Sequence, residues 1–183
     1  MRSIGCRTEK AAISGDPTFL LQPKDAKPME PALSFAPKDE LIGMNWGTAM
    51  NQIYGGSEAA VENELASAAK YWIRQGYSIV LYAMWPKDAP AIKRLMGKIG
   101  SAEQVRFIDT VDPYQIMHII GQCRFTVNFK LHAAVLSAVM RIPFIALGYR
   151  FKVFDFAASI QSLPYVVSTD DPAVSERITR LSE

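Results

Sequence analysis

From residue 41 onward, short unbroken apolar blocks alternate with stretches whose apolar positions recur at helical spacing. LIGMNW at 41–46 reads as a buried strand, followed by a turn rich in Gly and Asn. Residues 58–74 place Val61, Leu65, Ala68, Ala69, Trp72 and Ile73 on one helical stripe, and Gly76 closes that helix. Residues 77–85 form a second apolar strand, stopped by Pro86. A helix over 88–98 and a short strand at 105–108 follow. Next comes a helix over 112–120, with Asp112 as its cap and Pro113 in its first position. The remainder reads as a strand at 125–129, a helix from Leu131, a strand at 144–147 and a helix beyond Arg150. A short strand at 165–167 and a helix over 171–181, started by Asp171-Pro172, end the chain.

About five strands in this order, each a continuous apolar block, predict an α/β fold. The expected architecture is a Rossmann-like open parallel sheet with helices on both faces. The first forty residues differ. They hold Pro17, Pro23, Pro28, Pro31 and Pro37 and show little periodicity. The chain therefore divides into a Pro-rich arm, 1–40, and a domain, 41–183.

Composition narrows the partners. At 183 residues the chain can bury a substantial core, and the net charge of +2, with no basic run, gives no argument for nucleic acid. No apolar run reaches the length of a membrane span, and no signal peptide pattern follows Met1. Cys6 and Cys123 lack metal-type or CxxC spacing, which suits free thiols in a reducing cytoplasm. Neither a GxGxxG fingerprint nor a P-loop is present.

The chemistry concentrates in residues 125–159, FTVNFKLHAAVLSAVMRIPFIALGYRFKVFDFAAS. Lys130 and His132 lie at one strand-to-helix turn; Tyr149, Arg150 and Lys152 lie at the next. In an open parallel sheet both turns fall on the carboxyl edge, where ligands bind. Cations at helix N-termini, added to free backbone N–H groups, favour a small phosphate- or carboxylate-bearing molecule. His132 is the leading catalytic candidate, since imidazole transfers protons near neutral pH. Lys152 lies twenty residues later, one βα unit along. The loop after Trp46, with Asn45, Gly47, Thr48, Asn51, Gly55 and Gly56, has the composition of one that approaches a ligand or simply turns. Asp88, Asp109 and Asp112 read as helix caps, and His118 as a structural or surface residue.

The block 127–152 resembles the polysaccharide pyruvyl transferases, which carry an Arg-Leu-His-Ala turn, a small-residue helix, a Pro-containing strand and a Tyr-x-x-Lys turn. The equivalents are Lys130-Leu131-His132-Ala133, Ile142-Pro143-Phe144-Ile145 and Tyr149-Arg150-Phe151-Lys152. Gly15-Asp16-Pro17 with Phe19-Leu20-Leu21 is similar to the segment joining that family's two domains. Ile4-Gly5-Cys6-Arg7-Thr8 is similar to a Val-Arg-Asp-like motif, which makes Arg7 the counterpart of a family arginine and Arg2 the runner-up. Two departures stand out. Lys130 replaces the usual arginine and loses its bidentate fork. Family members are also about twice as long, with two α/β domains in a GT-B-like arrangement. The chain thus resembles a C-terminal domain with its connecting arm and no N-terminal partner domain.

The resemblance implies transfer of the enolpyruvyl group of phosphoenolpyruvate to two hydroxyls of a sugar or lipid-linked saccharide. The product is a cyclic ketal on an exopolysaccharide or cell-wall polymer, and phosphate is released. It implies no metal and no organic cofactor. His132 and Lys152 would be catalytic, and Lys130, Arg7, Arg150 and Asn45 would bind substrate. Two alternatives remain open. One is the donor-binding half of a GT-B glycosyltransferase, for which Asp155 and Asp170 would be the acidic ribose contacts. The other is a non-catalytic anion-binding α/β module. The chain is expected to fold by itself and, as half a site, not to turn over.

Overall fold

The computed structural model of the chain describes residues 15–28, 36–37, 40–101 and 103–183. Arg2, Cys6 and Arg7 lie outside the described residues. Six parallel strands form one sheet in the order β3-β2-β1-β4-β5-β6. The strands are β1 (Leu41–Asn45), β2 (Ser78–Tyr82), β3 (Val105–Ile108), β4 (Phe125–Asn128), β5 (Phe144–Gly148) and β6 (Val166–Ser168). Every residue of β1, β2 and β4 is buried. That is why these segments read as continuous apolar blocks: each has a helix layer against both faces.

The helices are α1 (Glu58–Arg74), α2 (Ala89–Ile99), α3 (Pro113–Gly121), α4 (Leu131–Val139), α5 (Phe151–Ser159) and α6 (Val174–Leu181). α1 contacts α2 and α6 on one face; α3 and α4 contact each other on the other; α5 lies against β5 and β6. Their ends follow local chemistry. Ser57 Oγ accepts from Ala60 N at 3.2 Å at the start of α1, and Asp112 Oδ1 accepts from Tyr114 N at 2.8 Å at the start of α3. Gly76, at φ +92°, and Gly100, at φ +81°, take left-handed conformations where α1 and α2 end.

Two expectations shift at the C-terminal end. Residues Leu163–Tyr165 wind into a 3-10 turn, so β6 begins one residue later than the pattern suggests. Asp171 Oδ1 accepts from Ala173 N at 2.9 Å, closing a turn, and α6 starts only at Val174. The described part of the arm forms two 3-10 turns, Pro17–Leu20 and Pro23–Asp25. It is docked: Leu21, Ala26 and Ala36 pack against the core under α3 and α4, and Lys27 N donates to Tyr114 O at 3.0 Å.

The strand order fixes where a ligand would sit. From β1 the chain moves outward to β2 and β3; from β4 it moves the other way to β5 and β6. β1 and β4 are neighbours, with Asn45 opposite Asn128 at their carboxyl ends. This is the topological switch point, where the following loops diverge and leave a crevice.

Candidate functional site

Three aromatic residues form the floor of the crevice. Trp46 follows β1, Phe129 follows β4 and Tyr149 follows β5, and all three are buried. Their rings form a row, with centroids 4.6 Å apart between Trp46 and Phe129 and 4.5 Å between Phe129 and Tyr149. Cations lie over this row. Lys130 Nζ is 5.4 Å from the Phe129 ring centre; Lys152 Nζ is 5.4 Å and the Arg150 guanidinium carbon 5.8 Å from that of Tyr149. Each contact is of cation–π type. The floor therefore gathers three of the cations singled out in the sequence.

Their availability differs. Lys130 Nζ pairs with Asp88 Oδ1 at 3.2 Å and donates to Thr48 O at 2.5 Å, so its charge is largely answered from within. Arg150 Nε donates to Gln52 O at 2.9 Å and its terminal nitrogen to Gln52 Oε1 at 2.7 Å. No carboxylate among the described residues pairs with Arg150 or Lys152. Lys152 and His132 are exposed.

His132 and Lys152 are placed alike. Each is the second residue of its helix, α4 or α5, and neither helix has a side-chain cap. Among the described residues no acceptor reaches the N–H groups of Leu131, His132, Phe151 or Lys152. The two helices follow paired neighbouring strands and open on the same sheet edge. Free N–H groups and the positive helix end reinforce the side-chain charge toward an anion.

A buried polar network holds α4 in register. The Tyr82 hydroxyl donates to Asn128 Oδ1 at 2.6 Å, and Asn128 Nδ2 donates to Thr126 Oγ1 at 2.9 Å and Ser137 Oγ at 3.0 Å. Ser137 Oγ donates to Ala133 O at 2.9 Å, so the Thr126 hydroxyl, 2.9 Å away, donates to Ser137. Burial pushes the Tyr82 phenol well above its ordinary value, which keeps it a neutral donor.

The docked arm brings a carboxylate toward His132. The 3-10 turn Pro17–Leu20 contacts α4, and Phe19 stacks on Phe156 of α5 with centroids 6.3 Å apart. Asp16 caps this turn, accepting from Thr18 N at 2.9 Å. Burial raises its carboxyl, but the Thr18 hydrogen bonds and the attraction of His132 outweigh that and leave it below its ordinary value.

Some residues fall elsewhere than expected. Asn45 is 1% exposed: its Nδ2 donates to Tyr82 O at 2.9 Å and its Oδ1 accepts from Lys130 N at 2.8 Å, so its amide braces β1, β2 and the β4–α4 turn. Asp88 is not a cap. It is fully buried, makes no capping bond, and instead accepts from Thr48 N at 3.1 Å and pairs with Lys130, while Oδ2 has no hydrogen-bond partner. Asp170 accepts from Ser168 Oγ, and Asp155 is exposed on α5. Glu58, buried at the start of α1, and the aromatic floor carried no weight in the sequence reading. The floor does have a signal: an aromatic residue directly after the last residue of each of three strands. A cavity of about 570 Å³ lined by Arg124, Ile142, Pro143, Phe144 and Tyr165 opens at the amino end of β4 and β5. That is the edge away from the switch point, so it does not belong to this site.

The doubly wound sheet, with cations over an aromatic floor at its switch point, defines a Rossmann-like ligand-binding domain. The sequence model of the polysaccharide pyruvyl transferase family matches residues 1–150, and the chain belongs to that family. A comparison with curated protein sequences found no match. Among solved structures, the chain is similar to a glycosyl transferase family 9 protein from Veillonella parvula, with a TM-score of 0.55 and 17% identity over 75% of this chain. The match covers 39% of that protein's length, and the likeness is one of fold. Among the described residues no helix is long and apolar enough to cross a membrane.

Proposed function

We propose that this chain forms the donor side of a pyruvyl transfer site, with phosphoenolpyruvate as donor and saccharide hydroxyls as acceptor. The observation that carries the reading is the matched placement of His132 and Lys152 at the uncapped N-termini of α4 and α5. Phosphoenolpyruvate carries two anionic groups, and two neighbouring helix starts, one bearing an imidazole and the other a lysine ammonium, suit them. Arg150 adds charge beside Lys152. Lys130, already paired with Asp88, orients the crevice between the two turns.

In the proposed reaction C3 of the enol takes a proton and C2 becomes oxocarbenium-like. A sugar hydroxyl attacks C2 and gives up its proton. Loss of phosphate regenerates the electrophilic carbon, and the second hydroxyl closes the ketal as its proton leaves. The two hydroxyls release two protons; one matches the proton taken up by C3 and the other leaves on the released phosphate, so the exchange balances. His132 handles one of these proton transfers, and Lys152 meets the charge of the departing phosphate.

A second wall would close the site. Met50, Trp85, Val111 and Phe151, each in a loop or helix start at the carboxyl edge, are 69%, 52%, 42% and 69% exposed. An apolar rim around a polar crevice suits a facing domain. The reading places the work in the cytoplasm, on a sugar or lipid-linked acceptor.

Titration of the 183-residue chain with phosphoenolpyruvate, followed by NMR, tests the donor site. Binding in the millimolar range, weakened at least several-fold in Lys152→Ala, is expected. Equal affinity in both proteins would remove Lys152 from the site. In a two-domain form, His132→Ala should abolish acceptor-dependent phosphate release while leaving the fold intact.

A further inference from the structure

The loop between β1 and α1 lies at the switch point, where a doubly wound sheet ordinarily presents backbone N–H groups to a ligand phosphate. In this chain those groups are already used. Thr48 N donates to Asp88 Oδ1 at 3.1 Å. Ala49 N donates to Glu58 Oε1, and Asn51 N donates to the same oxygen at 3.1 Å. Met50 N donates to Thr48 Oγ1 at 3.0 Å, and the Thr48 hydroxyl donates to Glu58 Oε2 at 2.9 Å.

The backbone is shaped for this. Met50 and Asn51 both take the left-handed conformation, at φ +56° each. Successive N–H groups in such a turn converge into a concavity that binds anions. The anion held here is the Glu58 carboxylate, itself buried, with Glu58 N returned to Asn51 Oδ1 at 3.0 Å. On the other flank Gly47 leaves room for the second carboxylate: a Cβ there would come within 2.4 Å of the Asp88 carboxyl group. The far end of the loop is fastened too. Tyr54 N donates to Tyr149 O at 3.2 Å, and Thr169 Oγ1 donates to Tyr54 O at 2.8 Å.

We infer that the β1–α1 loop is an anion cradle filled from within, and that Glu58 and Asp88 are specificity-determining residues that deny this turn to a nucleotide diphosphate. A diphosphate placed there would have to displace two buried carboxylates that share its sign. The donor is thereby restricted to a compact anion met at the starts of α4 and α5. This restriction rests on the donor-site reading above; the filled cradle itself does not.

NMR of the ¹⁵N-labelled 183-residue chain tests both parts separately. ADP, UDP, inorganic phosphate and phosphoenolpyruvate are added in turn. The amides of Thr48, Ala49 and Asn51 are expected to stay unmoved by all four, while those of Leu131, His132, Phe151 and Lys152 move with phosphate and phosphoenolpyruvate. Saturable movement of residues 48–51 with any of the four would overturn the inference. If neither set responds, the donor site fails and the filled cradle stands. Hydrogen exchange supplies the positive readout. Glu58→Gln should speed exchange at Ala49 and Asn51 at least ten-fold while leaving amides in β4 unchanged. Unaltered protection at both positions would show that Glu58 does not fill the cradle.

Discussion

Lys130 Nζ lies 3.2 Å from Asp88 Oδ1, and the carboxylate it answers is fully buried under the crevice. Removing one member of such a pair strands the other in a poorly solvating interior. Lys130→Met should therefore destabilise the fold by about 3–5 kcal/mol, and the double variant Asp88→Asn/Lys130→Met should recover most of that loss. Urea unfolding of wild type and the two variants measures it. A single variant as stable as wild type would show that solvent reaches Asp88.

Tyr82 and Asn128 make the shortest link of the network beneath α4, at 2.6 Å. Tyr82→Phe keeps the ring and leaves Asn128 Oδ1 buried without its donor. The expected cost is about 1–3 kcal/mol in denaturant unfolding, with little change in m-value. A neutral substitution would mean that a water replaces the hydroxyl.

Gly148 ends β5 directly before Tyr149, and a Cβ there would lie 2.3 Å from the Phe154 ring and 2.9 Å from Val166. Relief requires the half-buried Phe154 ring to swing away or α5 to shift from β5. Gly148→Ala should cost about 1–3 kcal/mol through overpacking and should shift the amide of Lys152 in NMR spectra. Unchanged shifts across α5 would show that the Phe154 ring yields freely.

Asp16 predicts an acid dependence. Its carboxyl titrates below its ordinary value of 3.8 in the folded chain, so it contributes stability above that pH and loses the contribution as pH falls through the lowered value. Asp16→Asn should therefore be less stable than wild type at pH 7, with the gap closing as the pH falls through the lowered value. Thermal unfolding at several pH values checks the sign. A gap that widens on acidification would contradict the assignment of Thr18 and His132 as its partners.

The pattern of the chain determined a large part of this protein. Continuous apolar strands such as LIGMN and SIVLY, buried along their whole length, signal a sheet covered on both faces. Capping chemistry marked the end of α1 and the start of α3, because Gly76 and Asp112 act on residues only a few positions away. The spacing from His132 to Lys152 gave one βα unit, and one unit in a parallel sheet returns the chain to the same edge.

Tertiary structure alone decided which polar groups open onto the crevice and which answer one another. Asp88 looks like a cap in sequence, yet its partners are Thr48 and Lys130, forty and more residues away. Asn45 sits in a ligand-like loop composition, but sheet pairing places it beside Asn128, where its amide braces three segments. The described part of the arm has no long periodicity to read, because it is two short 3-10 turns docked on α3 and α4. Helical and strand periodicity report on neighbours within a few residues. Charge pairing across a parallel sheet joins residues that only the strand order brings together, and no local pattern records it.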